Sequence, residues 1–217
     1  MFNNQLLASK LLETGAVRIQ PDQPFTWASG LRSPIYCDNR VLLSFPDIRT
    51  GIIDLMVKVV KDFEFFNIIA GVATAGIPHG ALLADRLKLP FAYIRSKPKD
   101  HGRQNLIEGV IATDSSVLVV EDLISTGMSS LQAVQAVRDV PAQVSGVIAI
   151  FQYGLPIAKQ AFEDAHCPFA TLTDFETIIQ VAAQENRIEK HHLELLRHWS
   201  ADPQGWSARY LSTTQVP

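Results

Sequence analysis

The sequence predicts an α/β protein, a parallel twisted sheet flanked by helices. Three observations point there. Apolar runs near residues 68, 91, 117, 146 and 169 alternate with segments of helical periodicity, the pattern of strand–helix–strand crossovers. The run Val117-Leu118-Val119-Val120 lacks the alternation of a half-exposed strand and reads as one buried on both faces. Lastly, the loops 74–76, 96–109 and 121–129 follow three of these strands and carry small, charged or hydroxyl-bearing residues. In parallel sheets, ligands sit at those carboxyl ends.

Each element has its own local warrant. Residues 4–13 place Leu6, Leu7, Leu11 and Leu12 at helical spacing, Gly15 ends that helix, and Val17 to Ile19 form a short strand before Pro21. Phe25 to Arg40, FTWASGLRSPIYCDNR, has aromatic and small residues without a 3.6-residue period. It reads as a twisted hairpin packing Phe25, Trp27 and Tyr36 into the core. Ser44 is the expected N-cap of the next helix, with Pro46 and Asp47 in its first turn and Ile48, Ile52, Leu55, Met56, Val59 and Phe63 on its buried face. Ile68 to Ala73 is the first core strand. The tight loop Ala73-Thr74-Ala75-Gly76 leads into a helix in which His79 reads as a structural or surface histidine.

Phe91 to Arg95 is the next strand. After it, 96–109 (SKPKDHGRQNLIEG) is polar, with Lys97, Lys99, His101 and Arg103. Its composition alone allows a solvated basic loop, but its place between two core strands favours a lid. Gly146 to Phe151 and Phe169 to Leu172 complete the strands, and Tyr153 to Pro156 lead into a helix through Phe162. Thr173-Asp174-Phe175-Glu176 has the spacing of a capping box. His191, His192 and His198 fall on a last polar helix, where neighbouring side chains are expected to diverge, so no metal site is expected. Ser200 to Pro217 is polar and its end is expected to fray.

Composition narrows the class. At 217 residues, 47% hydrophobic and 19% charged, the chain suits one globular domain spanning 1–217. A formal charge of −3 gives no basic field for nucleic acid. No apolar run approaches a membrane span and no signal peptide is recognisable, so no membrane association is expected. Two cysteines, Cys37 and Cys167, point to a reducing cytoplasm.

The stretch Val117 to Ser130 carries the chemistry. After the apolar run come two acids, Glu121 and Asp122, then the loop Ser125-Thr126-Gly127-Met128-Ser129, then a helix with Leu131, Val134 and Val137 on one face. Free amides at a helix start, the helix dipole and hydroxyl donors make an anion site. The acids would repel a bare phosphate but suit sugar hydroxyls beside one, as in a ribose 5-phosphate. On spacing alone, an ordinary strand–loop–helix with solvated end charges stays open.

These residues resemble the phosphoribosyl-pyrophosphate (PRPP) motif of type I phosphoribosyltransferases. Within that family, Phe25 to Arg40 is similar to the hood of bacterial orotate phosphoribosyltransferases, and Arg95 with Lys99-Asp100-His101-Gly102 resembles their catalytic loop. The resemblance spans nearly the whole chain and implies transfer of 5-phosphoribose from PRPP to orotate, giving orotidine 5′-phosphate and pyrophosphate in pyrimidine (UMP) biosynthesis. It implies a hood drawn largely from 17–40 and C-terminal segments, a mobile lid at 96–109, Mg²⁺ bound mainly through PRPP, no protein metal ligands, and a homodimer with shared active sites. Lys99, His101 and Asp122 are the expected catalytic residues. PRPP is expected to meet Arg95, Lys99, His101 and Glu121, Asp122, Leu123, Ile124, Ser125, Thr126, Gly127, Met128 and Ser129, and orotate to meet Ser125 and Tyr36.

The chain departs from the enterobacterial pattern, which has lysines at Ala28 and Ala75, paired aromatics at Tyr36 and Cys37, and an arginine near Tyr153-Gly154. Arg32 and Arg40 are the remaining candidates for the orotate carboxylate. A phosphoribosyltransferase for another base would share the PRPP loop but lack the hood. A non-catalytic PRPP-binding regulator would need a DNA-binding extension, for which the roughly two dozen residues before Phe25 are too few.

Overall fold

The computed structural model describes residues 2–97 and 106–214. A six-stranded sheet in the order β10-β9-β8-β5-β6-β7 forms its centre. The strands are β5 (Ile68–Val72), β6 (Phe91–Ile94), β7 (Ile107–Glu108), β8 (Ser115–Ile124), β9 (Ala142–Gln152) and β10 (Phe169–Asp174). Five of them are parallel, as the crossover pattern predicts. Side chains alternate between two cores. Leu118 and Val120 of β8, with Ile148 and Ile150 of β9, pack beneath α1 (Asn4–Glu13), α2 (Pro46–Val59), α3 (Gly76–Leu87), α6 (Phe175–Gln184) and α7 (His192–Ala201). Val117, Val119, Val147 and Ala149 face the other way, against α4 (Met128–Arg138) and α5 (Pro156–Asp164). Burial on both faces is what requires the unbroken apolar runs.

In front of the sheet lies the hood. β1 (Val17–Ile19) pairs antiparallel with β4 (Ile35–Cys37), and between them β2 (Phe25–Thr26) pairs with β3 (Arg32–Ser33). Trp27 enters the core as predicted, its ring 5.0 Å from Tyr153 and 5.8 Å from Trp199. Phe25 and Tyr36 do not follow it inward. They pair with each other at 5.7 Å, and the Arg18 guanidinium lies 5.2 Å and 5.1 Å from their centroids.

Five other expectations need correction. The sheet is mixed, because Ile107 and Glu108, read as part of the lid, form β7 antiparallel to β6 and cover the edge that β6 would otherwise expose. β8 does not end at the acids but runs to Ile124, because β9 is long enough to pair with Glu121, Leu123 and Ile124. Ser44 is not a helix cap. It closes the 3-10 turn Asn39–Ser44, leaving Phe45 in the cap position of α2 without a side-chain bond. Thr173 stays in β10, and Asp174 caps α6 by accepting from the Thr177 amide at 2.8 Å. Within the polar tail, residues 203–214 form α8 (Pro203–Thr214), and its Ser207 hydroxyl accepts the Arg32 amide at 2.9 Å, whereas the last residues, expected to fray, lie outside the described ones. The His191 and His192 rings do not diverge but touch, with centroids 4.0 Å apart. His79 is structural, buried in α3, and burial lowers its pKa to about 4 with help from Arg49.

α3 approaches the sheet closely through three glycines. A Cβ on Gly76 would lie 2.4 Å from the Val120 carbonyl oxygen and 3.2 Å from the Glu121 Cα. One on Gly71 would meet the Ile77 Cα at 2.8 Å, and one on Gly80 the Gly71 Cα at 3.2 Å. Gly76→Ala is therefore expected to cost at least the roughly 1–3 kcal/mol of an overpacked core, since the obstacle is backbone. Denaturant unfolding measures this, and a wild-type midpoint would mean that α3 can move off the sheet.

Candidate functional site

The predicted anion loop forms where β8 gives way to α4. Gly127 adopts φ +81°, and a Cβ there would also sit 2.9 Å from the Phe162 ring. α4 starts without a side-chain cap, so the amides of its first turn keep their donors for a ligand. Opposite lies the turn 73–75, whose Ala73–Thr74 peptide is cis. Turn, acids and loop line one cleft of about 310 Å³, which includes Glu121 to Leu123 and Ser125 to Ser129. Ile124 lies in the same segment but is buried in the core behind it.

The two acids differ in setting. Glu121 is 5% exposed and fixed from two sides: Ser129 Oγ donates to one of its oxygens at 3.2 Å and the Asp122 amide to the other at 3.1 Å. Burial, then the neighbouring Asp122 charge, pushes its pKa up to about 9. Asp122 is also raised by burial, but the hydrogen bond from Glu121 opposes that shift. Burial thus opposes full ionisation of both acids, and Glu121 is the one that keeps its proton to high pH. Two full charges would repel a phosphorylated sugar, whereas one charge and one donor suit sugar hydroxyls. Among the described residues, no three His, Cys, Asp or Glu side chains form a set that could hold a metal ion.

A larger hollow of about 910 Å³ meets this cleft at Ser125 and Thr126. The hood segment 27–31, Leu155 to Ile157 and the start of α8 form its other walls. The periodicity of the tail gave no sign that α8 would contribute, because its place depends on the contact of Ser207 with β3. Tyr36 lines neither space. Arg40 is gripped by Asp38 through Nε and Nη2 at 2.7 Å and 2.8 Å, within electrostatic reach of both Tyr36 and Asp122. Arg95 follows β6, and its guanidinium is 3.5 Å from Glu108 of β7. Lys99 and His101 lie outside the described residues. Asn39 was missed in the sequence, although it is wholly buried and its amide donates to the Asp122 carbonyl at 2.7 Å.

The raised Glu121 pKa has a definite sign. The unfolded carboxyl ionises near its ordinary value, whereas the folded one keeps its proton up to about 9. The folded state therefore loses stability relative to the unfolded one as pH rises through that window. Glu121→Gln is expected to melt higher than wild type at pH 8–9, with the gap closing towards roughly pH 4.5. A pH series of melting curves measures this, and a constant gap would mean that Glu121 ionises normally.

Comparison with known proteins agrees with this geometry. The phosphoribosyl transferase domain family matches residues 41–186. An orotate phosphoribosyltransferase of Bacteroides fragilis is 50% identical over 203 residues, covering 93% of this chain and 96% of the relative. That of Lactococcus lactis subsp. cremoris is 50% identical over 209 residues, covering 96% of this chain and all of the relative (100%). The crystal structure of orotate phosphoribosyltransferase from Aeropyrum pernix superposes with a TM-score of 0.73 at 29% identity, covering 82% of this chain and 98% of that one. The chain belongs to the bacterial orotate phosphoribosyltransferases, within the type I phosphoribosyltransferase family.

Proposed function

We propose that the protein transfers the 5-phosphoribosyl group of PRPP to orotate, releasing pyrophosphate and forming orotidine 5′-phosphate. The observation that carries this reading is the single cleft joining an uncapped helix start, the buried acid pair and the turn 73–75. The 5′-phosphate would take the amides and hydroxyls of Ser125 to Ser129, the ribose hydroxyls the acids, and the pyrophosphate the turn. The base would then extend into the hollow behind Ser125, beneath the hood.

Breaking the C1–O bond leaves positive charge on the ribose and negative charge on pyrophosphate. The protein's part is to position the reactants and stabilise those charges. Asp122, whose upward shift the Glu121 hydrogen bond opposes, is the acid suited to lend negative charge near the ribose, and Glu121 to hold a hydroxyl. Arg95, with Lys99 and His101, is suited to neutralise pyrophosphate, and His101 to protonate it. Mg²⁺ would be held mainly by the phosphates of PRPP, with the Asp122 carboxylate the group of this chain suited to face it, and it would neutralise the leaving group. Arg32 and Arg40, both of the hood segment, are the cations proposed for the orotate carboxylate. A reducing cytoplasmic setting suits the two buried free thiols, and among the described residues no helix is long and apolar enough to cross a membrane.

Steady-state assays of orotate, uracil and purine bases with PRPP test the reading, and turnover with orotate alone is expected. Thr126→Val removes one hydroxyl donor from the phosphate loop and should raise the KM for PRPP far more than that for orotate. Equal loss for both would assign the loop to the wrong substrate.

The working unit proposed is a two-fold dimer in which each lid serves its partner's cleft. A mixture of Lys99→Ala and Asp122→Asn proteins, each nearly inactive alone, should then recover activity. Random exchange makes about half the dimers mixed, and one site in each unites both intact halves, so about a quarter of all sites should work. No recovery after verified subunit exchange would return the lid to its own chain.

A further inference from the structure

The hood and the acid strand are joined by one buried side chain. Asn39 opens the 3-10 turn that directly follows β4, and it is 0% exposed. Its Nδ2 donates to the backbone carbonyl of Asp122 at 2.7 Å, and its Oδ1 accepts from the Cys37 thiol at 3.3 Å. Both ends of the amide are therefore engaged, one to the catalytic strand and one to the hood. Cys37 is itself fixed in β4, paired with Val17 of β1. Burial pushes its pKa well up, so it stays a thiol and keeps the proton it donates. Beside it, Asp38 caps the same turn and grips Arg40.

We propose that Asn39 is a positioning residue for the transfer reaction, tying Asp122 to the hood so that the ribose-facing acid and the base-covering strands keep a fixed separation. The proposal rests on the reading of Asp122 as the charge beside the ribose. The held carbonyl belongs to Asp122 itself, so a shift of that backbone moves its carboxylate directly. Displacements of about 1 Å are enough to cost on the order of 10²-fold in rate. The phosphate loop begins further on, at Ser125, and is held separately by Gly127 and the start of α4. Loss of the tie should therefore damage turnover more than capture of PRPP.

Asn39→Asp tests this with almost no change of shape. A protonated carboxyl can still donate to the Asp122 carbonyl, whereas a carboxylate cannot. The groups acting electrostatically on its two partners, Cys37 and Asp122, are Asp38, Glu121 and Arg40, with Tyr153 beside them; acids outnumber the one cation, and burial favours the neutral form. The variant's kcat relative to wild type should therefore be near one at the acid end of the range and fall roughly tenfold or more by about pH 7, below the window in which Glu121 ionises in both proteins. Its KM for PRPP should stay within about twofold throughout. Asn39→Ser, too short to bridge the gap, should show a similar loss of kcat without the pH dependence. It decides the matter if Asn39→Asp does not fold. Wild-type kcat in both variants, or kcat and KM worsening together with the folded fraction, would overturn the proposal. Asp122→Asn is measured alongside. If it is fully active, the reading of Asp122 fails; if it is inactive while the Asn39 variants are not, only the positioning role fails.

Discussion

The close seat of α3 on the sheet is the constraint on which the rest depends. Only hydrogen atoms at Gly71, Gly76 and Gly80 allow its first turn to lie against β5 and β8. That contact sets the width of the cleft, because the turn 73–75 leads directly into α3 and the acids lie on the strand beneath it. It also excludes water from above Glu121, and desolvation is the main cause of that residue's raised pKa. A packing requirement thus becomes an electrostatic property of the site.

In the proposed reaction, capture and chemistry fall to different parts of the site. Phosphate recognition would use backbone amides at a helix start, which bring no mobile side chain to order on binding. Charge stabilisation would use the two neighbouring acids, whose burial resists full ionisation of both. A second full charge would oppose the phosphates, and a neutral pair would offer nothing to a cationic ribose. The protein sets the two acids apart by placing one in the core and leaving its neighbour half-buried.

The hood needs anchoring because its strands are only two or three residues long, too short to stand alone. Three contacts supply it. Trp27 packs against Tyr153 and Trp199, the Arg32 amide binds Ser207 of α8, and Asn39 reaches the acid strand. Each joins the N-terminal segment to a different part of the chain. The hood is thereby referred to the same frame as the loop 125–129.

What the sequence determined by itself was local pattern. The run at 117–120 marked a doubly buried strand, and Gly127 with its hydroxyl neighbours and the paired acids marked the segment that lines the cleft. These are signals that neighbouring residues send together, so they survive without a partner in view. Where an element ended was decided elsewhere. β8 passed its acids because β9 extended alongside, Ser44 was taken by the preceding turn, and residues 203–214 became a helix that seats on β3. Likewise, Asn39 could not be recognised from its neighbours, since its partner lies 83 residues away, and Ser207 is 175 residues from Arg32. Only the tertiary structure paired them, because a hydrogen bond depends on distance in space and leaves no period in the chain.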